Sequence, residues 1–328
     1  MVFDLIGVHL RSSAVSLLLA LGIYQSAHAQ QFPAKPVRIV VGFAAGGASD
    51  VTARMLAPKM TALLGQPVVV ENRLGSGGAI ATEYVAKAPP DGYAILLMPA
   101  ADAVQPAVRR KLPYDLERDL APIGRIALGP WVVVVNPSVP VKNAQQLIAL
   151  ARANPNKLNY ASSGIGSSAH ITTELFASMA GIKLTHIPYK GVSDGVTATA
   201  IGQSDMIFAS YPAASPLLQI KKVKPLAVSI AKRWVMMPDI PTLDESGLKG
   251  FDRSGWYGML VPANTPKEII ARLNAAIVSI LVAPEMADGM RKQGLEPSTS
   301  TPEEFGAFIR TEIAQNMKIA KSAGIAVE

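Results

Sequence analysis

Eight short apolar runs, separated by helical stretches, set the narrowest limit on what this sequence can fold into. They are Val37 to Val41, Val68 to Val70, Ala94 to Met98, Trp131 to Val135, Leu158 to Ala161, Leu184 to Tyr189, Met206 to Ala209 and Pro225 to Ser229. Most are nearly continuous in Val, Ile, Leu or Met. A strand with one wet face alternates apolar and polar residues, whereas a strand covered on both faces does not. The pattern predicts an α/β architecture with mainly parallel sheets.

Helix signals fill the gaps. Ser49-Asp50 follows a glycine pair and opens a helix that Gly65-Gln66-Pro67 closes, with Pro58 expected to kink it. Thr265-Pro266-Lys267-Glu268 supplies an N-cap Thr, Pro at the first helical position and Glu at the third. Thr301-Pro302-Glu303-Glu304 repeats that start before the last helix.

The first thirty residues read as an export signal. Arg11 gives the positive end, Ala14 to Leu21 the apolar centre, and Ala27-His28-Ala29 the small residues that signal peptidase needs, so cleavage is expected after Ala29. The apolar run is too short to span a bilayer. The 328-residue chain has no cysteine, which excludes disulfides, thiolate metal sites and a cysteine nucleophile. Its net charge is +7, but Lys and Arg are dispersed, and neither Arg109-Arg110-Lys111 nor Lys221-Lys222-Val223-Lys224 is interleaved with aromatics. Nucleic acid is therefore not an expected partner. The positive balance modestly favours encounter with anionic small molecules.

Two places look like crossings between domains. A turn near Gly129-Pro130-Trp131 feeds one strand, and a turn near Ser254-Gly255-Trp256-Tyr257 feeds another. The expected division is a signal peptide at 1–29, a discontinuous first lobe at 30–128 and 253–328, and an inserted second lobe at 129–252. A cleft flanked by two connecting strands is a natural ligand site.

One local motif occurs twice: strand, small-residue loop, helix. The first loop is Gly42-Phe43-Ala44-Ala45-Gly46-Gly47-Ala48-Ser49-Asp50, and the second is Ala161-Ser162-Ser163-Gly164-Ile165-Gly166-Ser167-Ser168-Ala169-His170. Glycine and serine let the backbone approach a ligand closely, and the helix N-terminus that follows favours an anion. One such loop is an ordinary βα turn; two of them, each opening a helix, point to an anion gripped from both sides. Asp50 is expected to cap its own helix, because a carboxylate beside a bound anion would repel it.

The alternatives are poorly supplied. Gly164, Gly166 and Ala169 approach a dinucleotide fingerprint, but the acidic residue it needs about twenty positions on is missing. There is no G-x-x-x-x-G-K-[ST] and no G-x-S-x-G, and beyond residue 29 only His170 and His186 are left as bases. His170, in the first turn of a helix, suits a neutral donor or packed ring, and His186 sits mid-strand. A secreted hydrolase working through His170 is the runner-up, and a ligand-sensing adaptor is a third reading. Tyr189, Lys190 and Gly191 either line the cleft or form a polar strand end. Asp205 either fixes a loop or faces the ligand.

Taken together, Pro36 to Gly47, Val70-Glu71-Asn72-Arg73 with Gly75 to Gly78, Ala88 to Tyr93, Ser163 to Ser167, His186 to Gly191, and Trp256-Tyr257-Gly258 with Pro262 to Pro266 resemble the Bug family, the periplasmic solute receptors of tripartite tricarboxylate transporters. The resemblance runs from about Phe32 to the C-terminus. It implies a type II periplasmic-binding-protein fold whose two lobes close over a small mono-, di- or aromatic carboxylate. It also implies a monomer without enzymatic activity or cofactor, delivering its ligand to membrane subunits. The family's binding positions fall on Phe43, Ala44, Ala45, Gly46, Gly47 and Ser49, and on Ser163, Gly166, Ser167 and Ser168. Tyr189, Lys190, Gly191 and Asp205 would stand at the pocket wall.

Overall fold

The computed structural model describes residues 32–325; the expected export signal lies outside them. The chain divides into a segment ending at Ala34 and one unit from Lys35 onward, which carries the fold.

The strands described are β1 (Val37–Val41), β2 (Val68–Asn72), β3 (Ala94–Pro99), β4 (Leu120–Val135), β5 (Asn159–Ser162), β6 (Thr185–Pro188), β7 (Met206–Ser210), β8 (Lys224–Val228), β9 (Ser254–Pro262) and β10 (Glu296–Pro297). The α-helices are α1 (Ala48–Leu64), α2 (Ala79–Ala86), α3 (Gln105–Val108), α4 (Ala144–Ala153), α5 (Ser168–Ala180), α6 (Val192–Ala200), α7 (Tyr211–Gln219), α8 (Lys267–Leu281), α9 (Pro284–Lys292) and α10 (Pro302–Ser322).

Strand order is β2-β1-β3-β9-β4 in one sheet and β4-β7-β5-β6 in the other, with β10 and β8 added to β4. Strands β1, β2 and β3 are mutually parallel, as are β5, β6 and β7. Strand β9 runs antiparallel between β3 and β4. The 16-residue β4 thus belongs to both sheets, and the unit is a two-lobed α/β fold.

The two crossings differ from the expected turns. Strands β4 and β9 pair continuously from Leu120↔Pro262 to Pro130↔Ser254, and β4 then passes straight into the second sheet with Trp131 opposite Ser210. Pro122, Gly124, Gly129 and Pro130 break the apolar pattern of the first half of β4 without breaking the strand, and register shifts between Pro122 and Gly124 and between Arg125 and Ala127 absorb part of the irregularity.

The continuous run from Trp131 to Val135 has a direct structural reason. Trp131, Val133 and Val135 enter one apolar cluster with Phe176 and Phe208, while Val132 and Val134 enter another with Ile207 and Trp234. Both faces are covered. In the first lobe Trp256, Leu260 and Phe305 form the centre of a third cluster with Leu96 and Met98. Burying a ring such as that of Phe305 stabilises the fold by roughly 2–3 kcal/mol.

Helix starts follow the local signals unevenly. Thr301 and Glu304 form a full capping box at α10. Thr265 does not cap α8; its buried hydroxyl donates to the Pro262 carbonyl at 2.7 Å, and the N-cap position falls to Pro266. Helix α1 runs through Pro58 and ends at Gly65 in the left-handed conformation.

Helix α10 fastens the crossing. The guanidinium of Arg253, just before β9, donates to Glu312 Oε1 at 2.7 Å and also to Asn316 Oδ1. Trp256 Nε1 donates to Glu312 Oε2 at 2.9 Å, and Asn316 Nδ2 donates to the Ala103 carbonyl at 2.9 Å. All four side chains are buried.

Candidate functional site

Parallel strands deliver the loops at their C-terminal ends to one edge of a sheet, the usual place for a ligand in open α/β proteins. Here α1 follows β1, α5 follows β5, α6 follows β6 and α7 follows β7. Their first residues meet around a cavity of about 650 Å³ that draws on both lobes. Gly47, Ala48 and Ser49 come from α1, Ser168 from α5, Gly191, Val192 and Ser193 from α6, and Ser210, Pro212 and Ala213 from α7. The N-caps Gly47, Gly191 and Ser210 carry no side-chain cap hydrogen bond. Pro99, Ala100 and Ala101 at the end of β3, with Trp131, Gly255, Trp256 and Tyr257 from the crossing strands, complete the wall.

No Asp, Glu, Lys, Arg or His lines this cavity. Its electrostatics therefore come from backbone dipoles. A helix N-terminus carries roughly half a positive charge, and four of them approach here.

The first loop is held from outside. Asn72 Nδ2 donates to the Phe43 carbonyl and to Asp50 Oδ1, both at 2.9 Å, and Gly46 N donates to Asp50 Oδ2 at 2.9 Å. Arg54 donates to Asp50 Oδ2 at 2.8 Å, and this hydrogen bond, aided by those from Gly46 and Asn72, lowers the Asp50 carboxyl to about 2. Asp50 thus ties the loop to its helix, and it is not among the cavity-lining residues. Ser49 lies within reach of the Tyr257 hydroxyl, whose pKa burial pushes up to about 12.

The second loop is held by an imidazole pair. Gly166 N donates to His170 Nδ1 at 3.0 Å, and the His170 ring stacks on His186 at 3.9 Å. Burial, with the neighbouring His186, lowers His170 to about 4; burial also lowers His186. Both rings are neutral near pH 7. Ser162 Oγ lies 2.6 Å from His186 Nε2 and also bonds the Gly164 backbone. Ser167 caps α5 through His170 N at 3.2 Å.

The cavity wall includes Phe43, Ala44, Gly46, Gly47, Ser49, Ser168 and Gly191 from the sequence-derived set. Ala45, Ser163, Gly166, Ser167, Tyr189, Lys190 and Asp205 do not line it. Gly166, with φ of +70°, instead faces Val108 of the first lobe, whose side-chain carbons would stand 3.0 Å from a Cβ placed there. Tyr189 packs on the second-lobe core, and Lys190 is exposed. Asp205 sits at the opposite end of β7, where its carboxylate accepts from Asn159 N at 2.7 Å. It lies just before the start of the five-residue β7 and Ser210 at its end, roughly 16 Å away. Its role is to join β5 and β7 at their starts.

Sequence reasoning missed Trp131, Tyr257, Ser193 and Ser210 as cavity residues. Trp131 and Tyr257 stood in motifs read as turns, and the pairings of β4 with β7 and with β9 bring them to the cavity wall.

Fold and cavity together define a two-lobed solute-binding protein of the periplasmic-binding-protein class. The family model described as "Tripartite tricarboxylate transporter family receptor" matches residues 52–325. The chain belongs to this family, whose members are periplasmic receptors. A Pseudomonas sp. (strain P51) relative, the UPF0065 protein in the tcbD-tcbE intergenic region, is 35% identical over 308 residues, covering 94% of this chain and 92% of the relative. Among solved structures, Rpa4515 of R. palustris with adipate superposes with a TM-score of 0.79 at 36% identity, over 90% of this chain and 99% of that one. The periplasmic binding protein BugD superposes with a TM-score of 0.75 at 35% identity, over 90% and 99% of the two chains.

Proposed function

We propose that this receptor binds a small organic acid in the cavity between its lobes and hands it to the membrane subunits of a tripartite tricarboxylate transporter. The observation that carries the reading is the meeting of four helix N-termini around a wall with no Asp, Glu, Lys, Arg or His. Such a site neutralises a carboxylate through backbone N–H groups and dipoles. The adipate bound to Rpa4515 supports the same ligand class.

The lobes are proposed to divide at 30–128 and 253–328 against 129–252, as the sequence suggests; the passage of β4 between sheets at Pro130 and Trp131 supports this. Closure would bring the loop before α1 and the start of α5 onto one carboxylate, a population shift driven by contacts made only when both lobes meet. The chain acts as an exported monomer with no catalytic step, no cofactor and no nucleic-acid partner. A hydrolase is disfavoured because the His170 Nδ1 lone pair is taken by Gly166 N–H, and because Ser162, whose hydroxyl lies against the His186 ring, is fully buried.

The test is a thermal-shift screen of organic acids on protein stripped of cargo by unfolding and refolding. At a hundredfold excess over Kd, a true ligand adds about 2.7 kcal/mol of stability. Gly47→Phe or Ser168→Phe, each filling the cavity, abolishes that gain. A flat screen at millimolar acid, or a shift unaffected by both substitutions, overturns the assignment. N-terminal sequencing of the exported protein checks cleavage after Ala29.

A further inference from the structure

We infer that Trp131 is a specificity residue of this cavity, its indole N–H donating to an acceptor oxygen that the bound acid carries away from its carboxylate. The inference rests on the proposal that the cavity takes a small carboxylate, and it narrows that class to acids with a second oxygen on the body.

Trp131 stands where β4 leaves one sheet for the other, and its backbone is fixed twice. Its N–H donates to Ser229 Oγ at 2.9 Å, and its carbonyl accepts from Ser229 N at 2.9 Å. The side chain is only 9% exposed and lines the cavity. Its indole edge lies against Gly255, another cavity residue; a Cβ at Gly255 would stand 3.7 Å from Cζ2 and 3.9 Å from Cε2, the carbon bonded to Nε1. Glycine there places no side chain against that edge.

That N–H is enclosed and has no hydrogen-bond partner among the described residues. An indole N–H can only donate, and buried donors are rarely left unpaired. Of the other two tryptophans, Trp256 gives its N–H to Glu312, and Trp234, whose N–H is likewise unpartnered, lines a separate cavity with Arg125 and Arg233.

A second polar atom on the wall, Ser168 Oγ, is also unpartnered, but it sits at the first residue of α5. The two differ in what they suit. A helix N-terminus prefers the charged carboxylate, whereas a single indole donor with no cation beside it suits a carbonyl or hydroxyl oxygen. A cavity built to hydrogen-bond an oxygen discriminates against the analogue that lacks it, since the donor is then left buried and unpaired. The expected preference is about tenfold.

Matched acids test this on the refolded, cargo-free protein by calorimetric titration. The pairs are 4-oxopentanoate against 4-methylpentanoate, 4-hydroxybenzoate against 4-methylbenzoate, and adipate against hexanoate. Wild-type protein should prefer the oxygenated member of at least one pair by about tenfold. Trp131→Phe, which keeps a ring and removes the donor, should erase that preference, weakening the oxygenated acid about tenfold more than the plain one.

A preference that survives in Trp131→Phe, or that is absent from the wild type while both members bind, overturns the role of Trp131 and leaves the carboxylate reading intact. Failure of all six acids to bind the wild type counts against the carboxylate reading and removes this inference with it. An independent measurement does not need the variant to fold. In protein labelled with 15N-tryptophan, the Trp131 indole signal, assigned by elimination with Trp234→Phe and Trp256→Phe, should move downfield with the oxygenated acid and not with its isostere. Equal movement with both refutes the hydrogen bond.

Discussion

Glu312 joins α10 to the crossing strands, and its removal should reveal how much the fold depends on that joint. Its carboxylate is 9% exposed and accepts from Arg253, itself 6% exposed, at 2.7 Å, and from Trp256 Nε1 at 2.9 Å. In Glu312→Ala the Arg253 charge stays buried with only the amide oxygens of Gln315 and Asn316 for partners, and the Trp256 N–H loses its acceptor. Breaking one side of a buried pair costs about 3–5 kcal/mol, against a total stability of about 5–15 kcal/mol. For a unit of this size that lowers Tm by roughly 10 °C. The double change Arg253→Met with Glu312→Gln removes both charges and keeps an oxygen for Trp256, so it should recover most of the loss, because the penalty lies in the orphaned charge. Urea unfolding of wild type and the two variants with unchanged m-values reads the differences. The reasoning fails if Glu312→Ala loses less than about 1 kcal/mol, or if the double variant is as unstable as the single one.

Gly258→Ala tests the packing beneath β9, since a Cβ there would stand 2.0 Å from Cζ of the fully buried Phe305. A loss of about 1–3 kcal/mol is expected, with partial recovery when Phe305→Leu is added; equal stability of Gly258→Ala and wild type in urea titration would contradict the packing. His170 makes stability depend on pH in a stated direction. Its folded value of about 4 lies below the ordinary 6.5, so the unfolded chain binds more protons between them. Stability is then full above pH 6.5 and falls as the pH drops toward 4. His170→Asn keeps an acceptor for Gly166 N–H and should flatten the Tm–pH curve over that window; an unchanged slope would assign the dependence to other groups, His186 first among them.

The apolar runs marked most strands because burial on both faces removes polar alternation, as Val132 to Val135 show by dividing between two clusters. The same logic hid the first half of β4. There the neighbours are β9 and the short β10, and irregular registers let Pro122, Gly124 and Pro130 sit in a paired strand. Local capping signals were legible only where tertiary contacts left them alone. Thr301 is exposed and caps its helix, whereas Thr265 is buried at the end of β9, where the Pro262 carbonyl competes for the hydroxyl.

The candidate site divides along the same line. Residues that act through the chain next to them, such as Gly47 and Ser49 at α1, are readable because loop and helix N-terminus are contiguous. Within the second loop the sequence could not tell which residues face inward. Gly164 and Gly166, both at positive φ, turn the backbone so that Gly166 meets His170 and Val108, and Ser168 alone of the residues in that loop and helix start lines the cavity. Asp205 was misleading for a related reason. In sequence it adjoins a strand whose far end reaches the ligand edge, but a parallel strand presents its start and its end to opposite sides of the sheet. Trp131 lay furthest from view. What puts its indole at the cavity wall is the register of Gly129 with Gly255 and of Trp131 with Ser210, long-range pairings that no local pattern encodes. The anion end of such a pocket is thus written in short motifs, while the end that distinguishes one acid from another is set by long-range strand pairing.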